Sequence, residues 1–595
     1  MNSPKRLFDC IAWQKEQHPL EAMFAGKKDG EWKKYSTLEV EDTVIKLAAG
    51  LIARGISKGD MTPEGRDKIA IISKNCPEWM MIDFAVQQTG AVLVPIYPTI
   101  NINELAFIMN DCKVKIIFVN DAVLYEKVMS IKDQLPHLKE VYTIEPVPGA
   151  KMWQELLDEA LLEHIDKVHR IAAKIDAQDL VTIIYTSGTT GTPKGVMLSH
   201  RNILSNVENA LEVFDEIQIE GGRALSFLPL NHIFERMVTY VFIYTGISIY
   251  YAESMDTIGD NLKEVKPSVF TTVPRLLEKV FEKIMAKGQS ESFIKRKAFF
   301  WALDLGRKFE INQDRGWWYN AQLNIANKLV FSKWREALGG KVKAIVTGAA
   351  ACQVKLLKIF TAGKIVIMEG YGLTETSPVI SVNRFDEKNR MFGTVGPLLK
   401  NVEVKFEEDG EICCRGENVM MGYYKHPELT AEVIKDGWFH TGDIGTMVDN
   451  KFLKITDRKK EIFKTSGGKY VAPQPIENKM KESHIIEQIM VVGAGQKFAA
   501  ALIVPAFKVL MEWCEKQGIP YPGNKEIIKD ERVIGMVRSA IDRYNKHFNQ
   551  VEQVKKFQLL PHEWTIDGGE LTPTLKLKRK VILEKYADVI DKIYS

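Results

Sequence analysis

Cysteine is scarce in this chain and poorly placed for cross-linking. There are seven in 595 residues, an odd number with no C-x-x-C spacing. The adjacent pair Cys413 and Cys414 suits neither a disulfide framework nor a zinc site. Such usage fits a reducing compartment, and a cytoplasmic location is expected. The opening Met1-Asn-Ser-Pro-Lys-Arg6 is not followed by an apolar h-region, so no signal peptide is read. The longest uncharged run, 237–252, falls short of the roughly 20 residues a spanning helix needs. Gly246 and four tyrosines interrupt it, and it reads as a buried helix followed by a strand. Charge of one sign is lacking too. The net charge is +3, which leaves no large field for nucleic acid or an anionic membrane. Nucleic acid is not expected as a partner, while peripheral contact with the inner membrane surface stays open. Internal repeats and low-complexity tracts are absent.

What is present is an ordinary globular composition, 45% hydrophobic and 26% charged. The chain is too long for one core, so two or more domains are expected. Apolar β-rich runs alternate with helical patterns over the first 450 residues, as in Ile69-Ala-Ile-Ile72, Ala91-Val-Leu-Val-Pro-Ile96, Lys115-Ile-Ile-Phe-Val119, Val269-Phe-Thr-Thr-Val273 and Val342-Lys-Ala-Ile-Val346. This alternation predicts an α/β fold with largely parallel sheets. Residues 281–340 read as a charged helical insertion with its own apolar face, rich in Phe299, Phe300, Trp301, Trp317, Trp318 and Trp334. From about 400 onward short strands and turns take over, and the last stretch reads as a small α+β domain.

The most informative segment is Tyr185-Thr-Ser-Gly-Thr-Thr-Gly-Thr-Pro-Lys-Gly195. Its hydroxyls and glycines need a backbone free to take positive φ. A buried strand, 180–184, precedes it. A helical pattern from Ser199, with Ile203, Leu204, Val207, Leu211 and Phe214, follows it. Strand, glycine-rich loop and helix would form an anion cradle of backbone N–H groups, hydroxyls and one lysine. It is not the common phosphate loop G-x4-G-K-[ST]. Gly188 and Gly191 are three apart, Lys194 follows a proline, and Gly195 stands where the metal-binding hydroxyl would be.

These residues resemble the phosphate loop of the adenylate-forming superfamily, which includes acyl-CoA synthetases, peptide-synthetase adenylation domains and beetle luciferases. Further motifs follow in the superfamily's order: Leu228-Pro-Leu-Asn-His232, Gly370-Tyr-Gly-Leu-Thr-Glu-Thr376, Thr441-Gly-Asp443, Asp457-Arg-Lys-Lys-Glu461 and Leu571-Thr-Pro-Thr-Leu-Lys576. The resemblance implies a large N-terminal adenylation domain (1–456) of mixed, mostly parallel sheets layered with helices, with a small β-rich lobe. A hinge at 457–460 and a small mobile α+β C-terminal domain (461–595) complete it. It also implies an AMP-forming long-chain fatty acid–CoA ligase using ATP, Mg2+ and coenzyme A, since the long-chain branch carries a segment comparable to 281–340.

Residue by residue, the resemblance assigns triphosphate binding to Thr186, Ser187, Gly188, Thr189, Thr190, Gly191 and Lys194. Magnesium falls to Glu375 and Thr186. The base slot falls to Gly348, Ala349, Gly370, Tyr371, Gly372 and Thr374, and the ribose to Asp443 with Arg458. Lys576 is the lysine expected to stabilise the adenylation transition state, and His232 lies near the reacting carbonyl. Lys460 is the pivot, and Ser466, Gly467 and Gly468 approach the pantetheine thiol. Read from the residues alone, Tyr371 and 348–350 serve equally well as core packing. Thr441-Gly-Asp443 is an ordinary turn, 466–468 a tight hairpin, and 576–580 a basic run opening a helix. In one long-chain subgroup a tryptophan four residues past the histidine gates the acyl tunnel. Here that position is Arg236, so the gate does not carry over. Alternatives kept are a synthetase loading a carrier protein, a luciferase-like oxygenase, and a non-catalytic acyl or nucleotide sensor.

Overall fold

The computed structural model describes residues 3–187, 193–219, 221–572 and 575–595. Contacts divide the chain into two compact units. The first comprises Met1–Ala349, Leu357–Val404 and Cys414–Phe439, and the second Ala350–Leu356, Lys405–Cys413 and His440–Ser595. The stretch 457–460 lies within the second unit, at the end of strand Phe452–Arg458.

Two eight-stranded sheets build the first unit. In one, strands Val366–Gly372, Ala344–Thr347, Val269–Thr272, Arg223–Ser226, Ser248–Tyr251 and Phe24–Lys28 run parallel, with an antiparallel strand at each edge. In the other, Leu180–Ser187, Val92–Ile96, Lys68–Ile72, Ile116–Val119, Glu140–Thr143 and Lys151–Met152 are parallel, and Pro193–Ser199 and Gly422–Tyr423 complete the antiparallel edge. The α/β expectation holds. The central strands are continuous apolar runs, as parallel strands covered on both faces must be.

The crossover helices Pro77–Gln88 and Ile233–Tyr244 have almost no solvent face. Nearly every residue from 79 to 87, and all of 233 to 243, is buried. The uncharged run thus forms a buried helix and then strand Ser248–Tyr251, as expected. Neighbouring charged residues on the second helix, 100° apart on the helical wheel, reach different sheets. Glu235 takes hydroxyls from Ser226 (2.6 Å) and Thr271 in the first sheet. Burial pushes its carboxyl up to about 7. Arg236 forks onto Asp83 through Nε (2.9 Å) and Nη2 (2.5 Å), and its Nη1 donates to Thr182 Oγ1 (2.9 Å) in the second sheet. Tyr240 and Gln87 also donate to Asp83. Burial alone would lower the guanidinium's affinity for its proton, but Asp83 outweighs it and holds the arginine charged. The position that carries a gating tryptophan in one subgroup is therefore an ion pair without solvent access.

Two sequence expectations change in detail. The glycine-rich loop does not lead directly into a helix. It joins the antiparallel strands Leu180–Ser187 and Pro193–Ser199, paired from Ser187↔Pro193 to Leu180↔Ser199. Helix His200–Asp215 begins at the far end of this hairpin, about 20 Å from the loop at ~3.3 Å per residue, too far for its N-terminal dipole to act there. The insertion is helical, as helices Pro274–Ser290, Phe293–Arg307 and Trp317–Ala326 show. It buries only part of its aromatics. Phe299 and Trp334 pack with Phe331 and Phe360, whereas Trp317 and Trp318 face solvent.

In the second unit strand Phe452–Arg458 pairs antiparallel with 443–448, part of the β-rich lobe. The remainder of the second unit is α+β. Strands Ile486–Val492, Ala500–Pro505 and Lys556–Leu559 pack with helices Pro473–Met480, Phe507–Lys516 and Glu531–Asn545 over one apolar core.

Removing one member of the Arg236–Asp83 pair leaves a buried charge uncompensated. Asp83→Ala is expected to cost about 3–5 kcal/mol of stability, and the paired change Asp83→Leu with Arg236→Met is expected to recover most of it. Denaturant unfolding of the three proteins measures this. Equal losses in Asp83→Ala and the double variant would refute the pair's role.

Candidate functional site

The first sheet concentrates motif residues at one edge. Leu228–His232 follows strand Arg223–Ser226, Gly348 follows Ala344–Thr347, and Gly370–Gly372 closes Val366–Gly372. These strands are parallel, and Thr272, Thr347 and Glu369 lie in register, so the motifs share the carboxyl edge, where open α/β sheets bind ligands. A Cβ on Gly348 would meet the Gly370 carbonyl at 3.6 Å and the Phe234 ring at 3.7 Å. The second sheet joins here. Asn75, just past strand Lys68–Ile72, donates to the Leu228 carbonyl (2.6 Å) and accepts from Leu230 N–H (3.0 Å). Asn231 donates to the Ile96 carbonyl (2.6 Å). His232 caps helix Ile233–Tyr244. Its Nδ1 accepts from Phe234 N–H (3.2 Å), which puts the proton of the neutral ring on Nε2.

Thr186 pairs with Lys194 across the hairpin. Strand Gly422–Tyr423 continues that sheet, with Tyr423 opposite Val196. The Lys194 ammonium sits 5.3 Å from the Tyr423 ring centre, and the Tyr423 hydroxyl donates to Glu375 Oε1 (2.9 Å). One tyrosine thus touches both the phosphate lysine and the metal carboxylate of the sequence reading. Burial, then the Glu375 charge, holds its phenol far above the ordinary range, so it stays a donor. Gly195 is tight here, since a Cβ would come within 2.7 Å of Ile183 and 3.3 Å of Tyr424.

Glu375 and Thr374 lie on the short helical turn Thr374–Thr376. Two asparagines pin it, and a third holds the neighbouring 417–419 segment. Asn206 donates to the Thr376 carbonyl (3.2 Å) and accepts from Val379 N–H (2.8 Å). Asn418 also donates to the Thr376 carbonyl (3.2 Å). Asn202 donates to the carbonyls of Glu417 and Val419 (2.8 Å each). Met420 N–H closes on the Glu375 carbonyl (2.9 Å). Gly372 admits no side chain, for a Cβ would lie 1.7 Å from the Pro378 carbonyl oxygen. Tyr371 pairs with Ser381 at a β-bulge, and Ala349 takes a left-handed φ of 70°. Gly188, Thr189, Thr190 and Gly191 lie outside the described residues, as does the side chain of Ser187.

The remaining motif residues belong to the second unit. Asp443 and Arg458 are cross-strand partners, and Arg458 Nε donates to Asp443 Oδ1 (3.0 Å). Next to them burial pushes the Asp457 carboxyl up to about 7. Lys459 bonds Asp409 (2.6 Å) and Glu411 (2.9 Å), and Lys460 is exposed. Ser466, Gly467 and Gly468 turn between the paired strands Phe463–Lys464 and Tyr470–Val471, with Gly468 at φ 77°. Lys576 sits in a turn closed by a bridge between Leu571 and Leu577. Its carbonyl accepts from Thr572 N–H (2.8 Å), and its N–H donates to Thr572 Oγ1 (3.0 Å). Three residues on, Arg579 anchors the turn to Glu461 (2.8 Å) and Glu477 (2.5 Å). Burial opposes the Arg579 charge, but the two carboxylates outweigh it.

A different cluster in the second unit, Glu407, Cys413 and His440, has metal-ligand composition. Burial, reinforced by Glu407 and Glu411, pushes the Cys413 thiol up to about 12. Metal binding there would need the thiolate.

Tyr423, the three asparagines and Arg579 escaped the sequence reading. Two of the asparagines left a trace: Asn202 and Asn206 are buried amides among the apolar positions of helix His200–Asp215, where unpaired polar groups are costly, while Asn418 and Tyr423 left none.

Comparison with known proteins agrees with the motifs. The model of the AMP-binding enzyme family matches residues 11–424, and that of the AMP-binding enzyme C-terminal domain matches 460–595. The chain belongs to the AMP-binding enzyme family. Among similar family members is a long-chain-fatty-acid–CoA ligase of Mycobacterium bovis, 32% identical over 95% of this chain and 93% of that protein. Long chain acyl-CoA synthetase 5 of Arabidopsis thaliana is 34% identical over 95% and 87%. Long-chain-fatty-acid–CoA ligase 1 of Homo sapiens is 34% identical over 95% and 82%. The fold is shared with the adenylation domain of a carboxylate reductase from Mycobacterium chelonae. That domain has a TM-score of 0.74 at 20% identity, covering 100% of this chain and 92% of that one.

Tyr423→Phe keeps the ring beside Lys194 and deletes the hydroxyl on Glu375. A hydrogen bond to a charged group is worth about 1.5–3 kcal/mol, so Mg2+-dependent ATP binding is expected to weaken about tenfold or more with the melting temperature nearly unchanged. Calorimetric titration of ATP at several Mg2+ concentrations reads this out. Wild-type affinity throughout would show that the hydroxyl does not serve the site.

Proposed function

We propose that this protein is an AMP-forming acid–thiol ligase that activates a long-chain fatty acid and transfers it to coenzyme A. In the first step a carboxylate oxygen attacks the α-phosphorus of ATP, forming acyl-AMP and expelling pyrophosphate. In the second the CoA thiol attacks the acyl carbonyl, the thioester forms, and AMP leaves with the electron pair of the broken C–O bond. The observation that carries the reading is the meeting of Lys194 and Glu375 on Tyr423, a cation and a hard anionic oxygen held together by secondary structure. The names of the similar family members support the acyl and thiol partners.

Lys194 and the hairpin loop neutralise the phosphates, which suffer the largest charge repulsion as carboxylate and triphosphate approach. Glu375 and Thr186 offer carboxylate and hydroxyl oxygens, a donor set that suits Mg2+. When bound, that ion would offset charge on the phosphate oxygens. Tyr371, with Gly348, Ala349, Gly370, Gly372 and Thr374, forms the slot for the base. Asp443, steadied by Arg458, accepts the ribose hydroxyls. His232, with its proton on Nε2, donates toward the carboxylate. Lys576 stabilises the charge that develops between carboxylate and α-phosphate. For the thioester step the C-terminal domain 461–595 turns about Lys460, withdrawing Lys576 and bringing the 466–468 turn toward the thiol. The fatty acid's tail lies against residues 232–251. The reaction is placed in the cytoplasm, where peripheral contact with the inner membrane surface stays open.

Lys576→Ala is expected to cut acyl-adenylate formation by roughly 10²–10³-fold while supplied acyl-adenylate still reacts with CoA. Near-normal ATP–pyrophosphate exchange in this variant would remove Lys576 from the first step.

The substrate assignment is tested by CoA-dependent AMP release across straight-chain acids from two to eighteen carbons. Each buried methylene is worth about 0.8 kcal/mol, so kcat/KM is expected to climb several-fold per added carbon, with a maximum at twelve carbons or more. A maximum at short or aromatic acids would overturn the long-chain reading. AMP release that needs a carrier protein in place of CoA would overturn the thiol assignment.

A further inference from the structure

The 281–340 segment inverts the usual rule for a surface helix pair. In helix Phe293–Arg307 one face packs inward through Phe299, Ala302, Leu303, Leu305 and Gly306. The opposite face carries Phe293 and Phe300 with Lys297 between them, spaced i, i+4 and i+7. The Lys297 ammonium lies over the Phe293 ring at 4.4 Å. In the next helix, Trp317–Ala326, the outward stripe is Trp318, Ile325 and, one turn on, Leu329, with Trp317 beside it. The Trp317 and Trp318 rings touch edge to face at 5.5 Å. A hydrogen bond from Trp301 Nε1 to Gln322 Oε1 (3.2 Å) sets the two helices side by side. Trp317 is 77% exposed, Trp318 63% and Ile294 80%. Singly exposed apolar residues need no explanation, but seven large ones gathered on two adjoining helices do.

Charge singles out the same segment. Between 281 and 340 eleven lysines and arginines face six aspartates and glutamates, although the whole chain nets only +3. The near-neutral total hides a local cationic surface interleaved with tryptophan and aliphatic side chains. A bilayer interface rewards that combination: amphipathic aromatic rings settle at headgroup level, and basic residues pair with anionic lipid. A protein partner would need shape to match two projecting indoles, whereas a bilayer needs only depth and charge. The helices stay far too short to span it, and among the described residues no helix is long and apolar enough to cross a membrane.

We propose that the outward face of helices Phe293–Arg307 and Trp317–Ala326 is a docking surface for an anionic lipid bilayer, into which Trp317, Trp318, Ile325 and Leu329 insert while Lys297, Arg296 and Lys328 meet the headgroups. The surface rests on exposure and charge, independently of the acid–thiol ligase reading. Its test separates the two, because it measures binding without turnover.

The experiment is co-sedimentation of the full chain with phosphatidylcholine vesicles, with and without about one third phosphatidylglycerol. Parallel samples contain the variants Trp317→Ala/Trp318→Ala and Lys297→Glu/Lys328→Glu. The wild type is expected to bind the anionic vesicles, and binding should weaken as salt screens the charges. Each basic residue near the surface strengthens binding roughly fivefold, so the charge variant should lose about 25-fold or more. The tryptophan variant should lose at least tenfold, with unchanged thermal unfolding showing that the fold is intact. Bromolipid quenching of tryptophan fluorescence should be present in the wild type and reduced in Trp317→Ala/Trp318→Ala. Absence of binding to anionic vesicles, or binding that neither variant weakens, overturns the proposal. So does self-association in sedimentation velocity that the tryptophan variant abolishes, since that result assigns the face to a second copy of the chain.

Discussion

The first unit depends on one buried ion pair. Arg236 and Asp83 sit on two crossover helices that lack a solvent face, and neither charge could be buried without the other. Because Arg236 also reaches Thr182, and its neighbour Glu235 reaches Ser226 and Thr271, a single turn of helix refers both sheets to the same point. The carboxyl edges that carry Leu228–His232, Gly348 and Gly370–Gly372 on one side, and the Thr186 hairpin on the other, inherit their relation from that turn. Apolar packing alone would allow the sheets to slide by a fraction of a residue. A bidentate guanidinium fork, with its fixed geometry, does not.

Much of this was legible in the chain. Apolar runs such as Ile69–Ile72 and Val269–Val273 became parallel strands because their period and composition match strands buried on both faces. Glu375 and Lys194 were found by motif, and the structure seats both on Tyr423. Illegible were contacts made across long sequence separations: Asp83 with Arg236, Tyr423 with Glu375, Asn418 with the 374–376 turn. No local pattern encodes such a partner. The departure at Arg236 signalled that something differed, yet only the three-dimensional neighbours reveal a structural charge.

The hairpin geometry of the 186–194 region went unread for another reason. Pro193–Ser199 opens on Pro-Lys-Gly, and its strand character comes from pairing with Leu180–Ser187 on one side and Gly422–Tyr423 on the other. Once the helix start is moved to the far end of that strand, the anion cradle read from the sequence loses its helix dipole. The aromatic-rich insertion likewise splits into two roles that composition blends. Phe299, Phe331 and Trp334 are core, and the tryptophan pair at 317–318 is surface.

The three asparagines around Glu375 have a wider consequence. The turn that presents the carboxylate is held by neutral amides and backbone groups rather than by ion pairs. Amides do not titrate, and counter-ions do not screen them. The frame of the site therefore keeps its shape when acidity or ionic strength varies in its surroundings. The carboxyls that burial pushes up to about 7 lie elsewhere, Glu235 against Ser226 and Thr271 and Asp457 beside Arg458, so sensitivity to acidity enters the scaffold away from this turn.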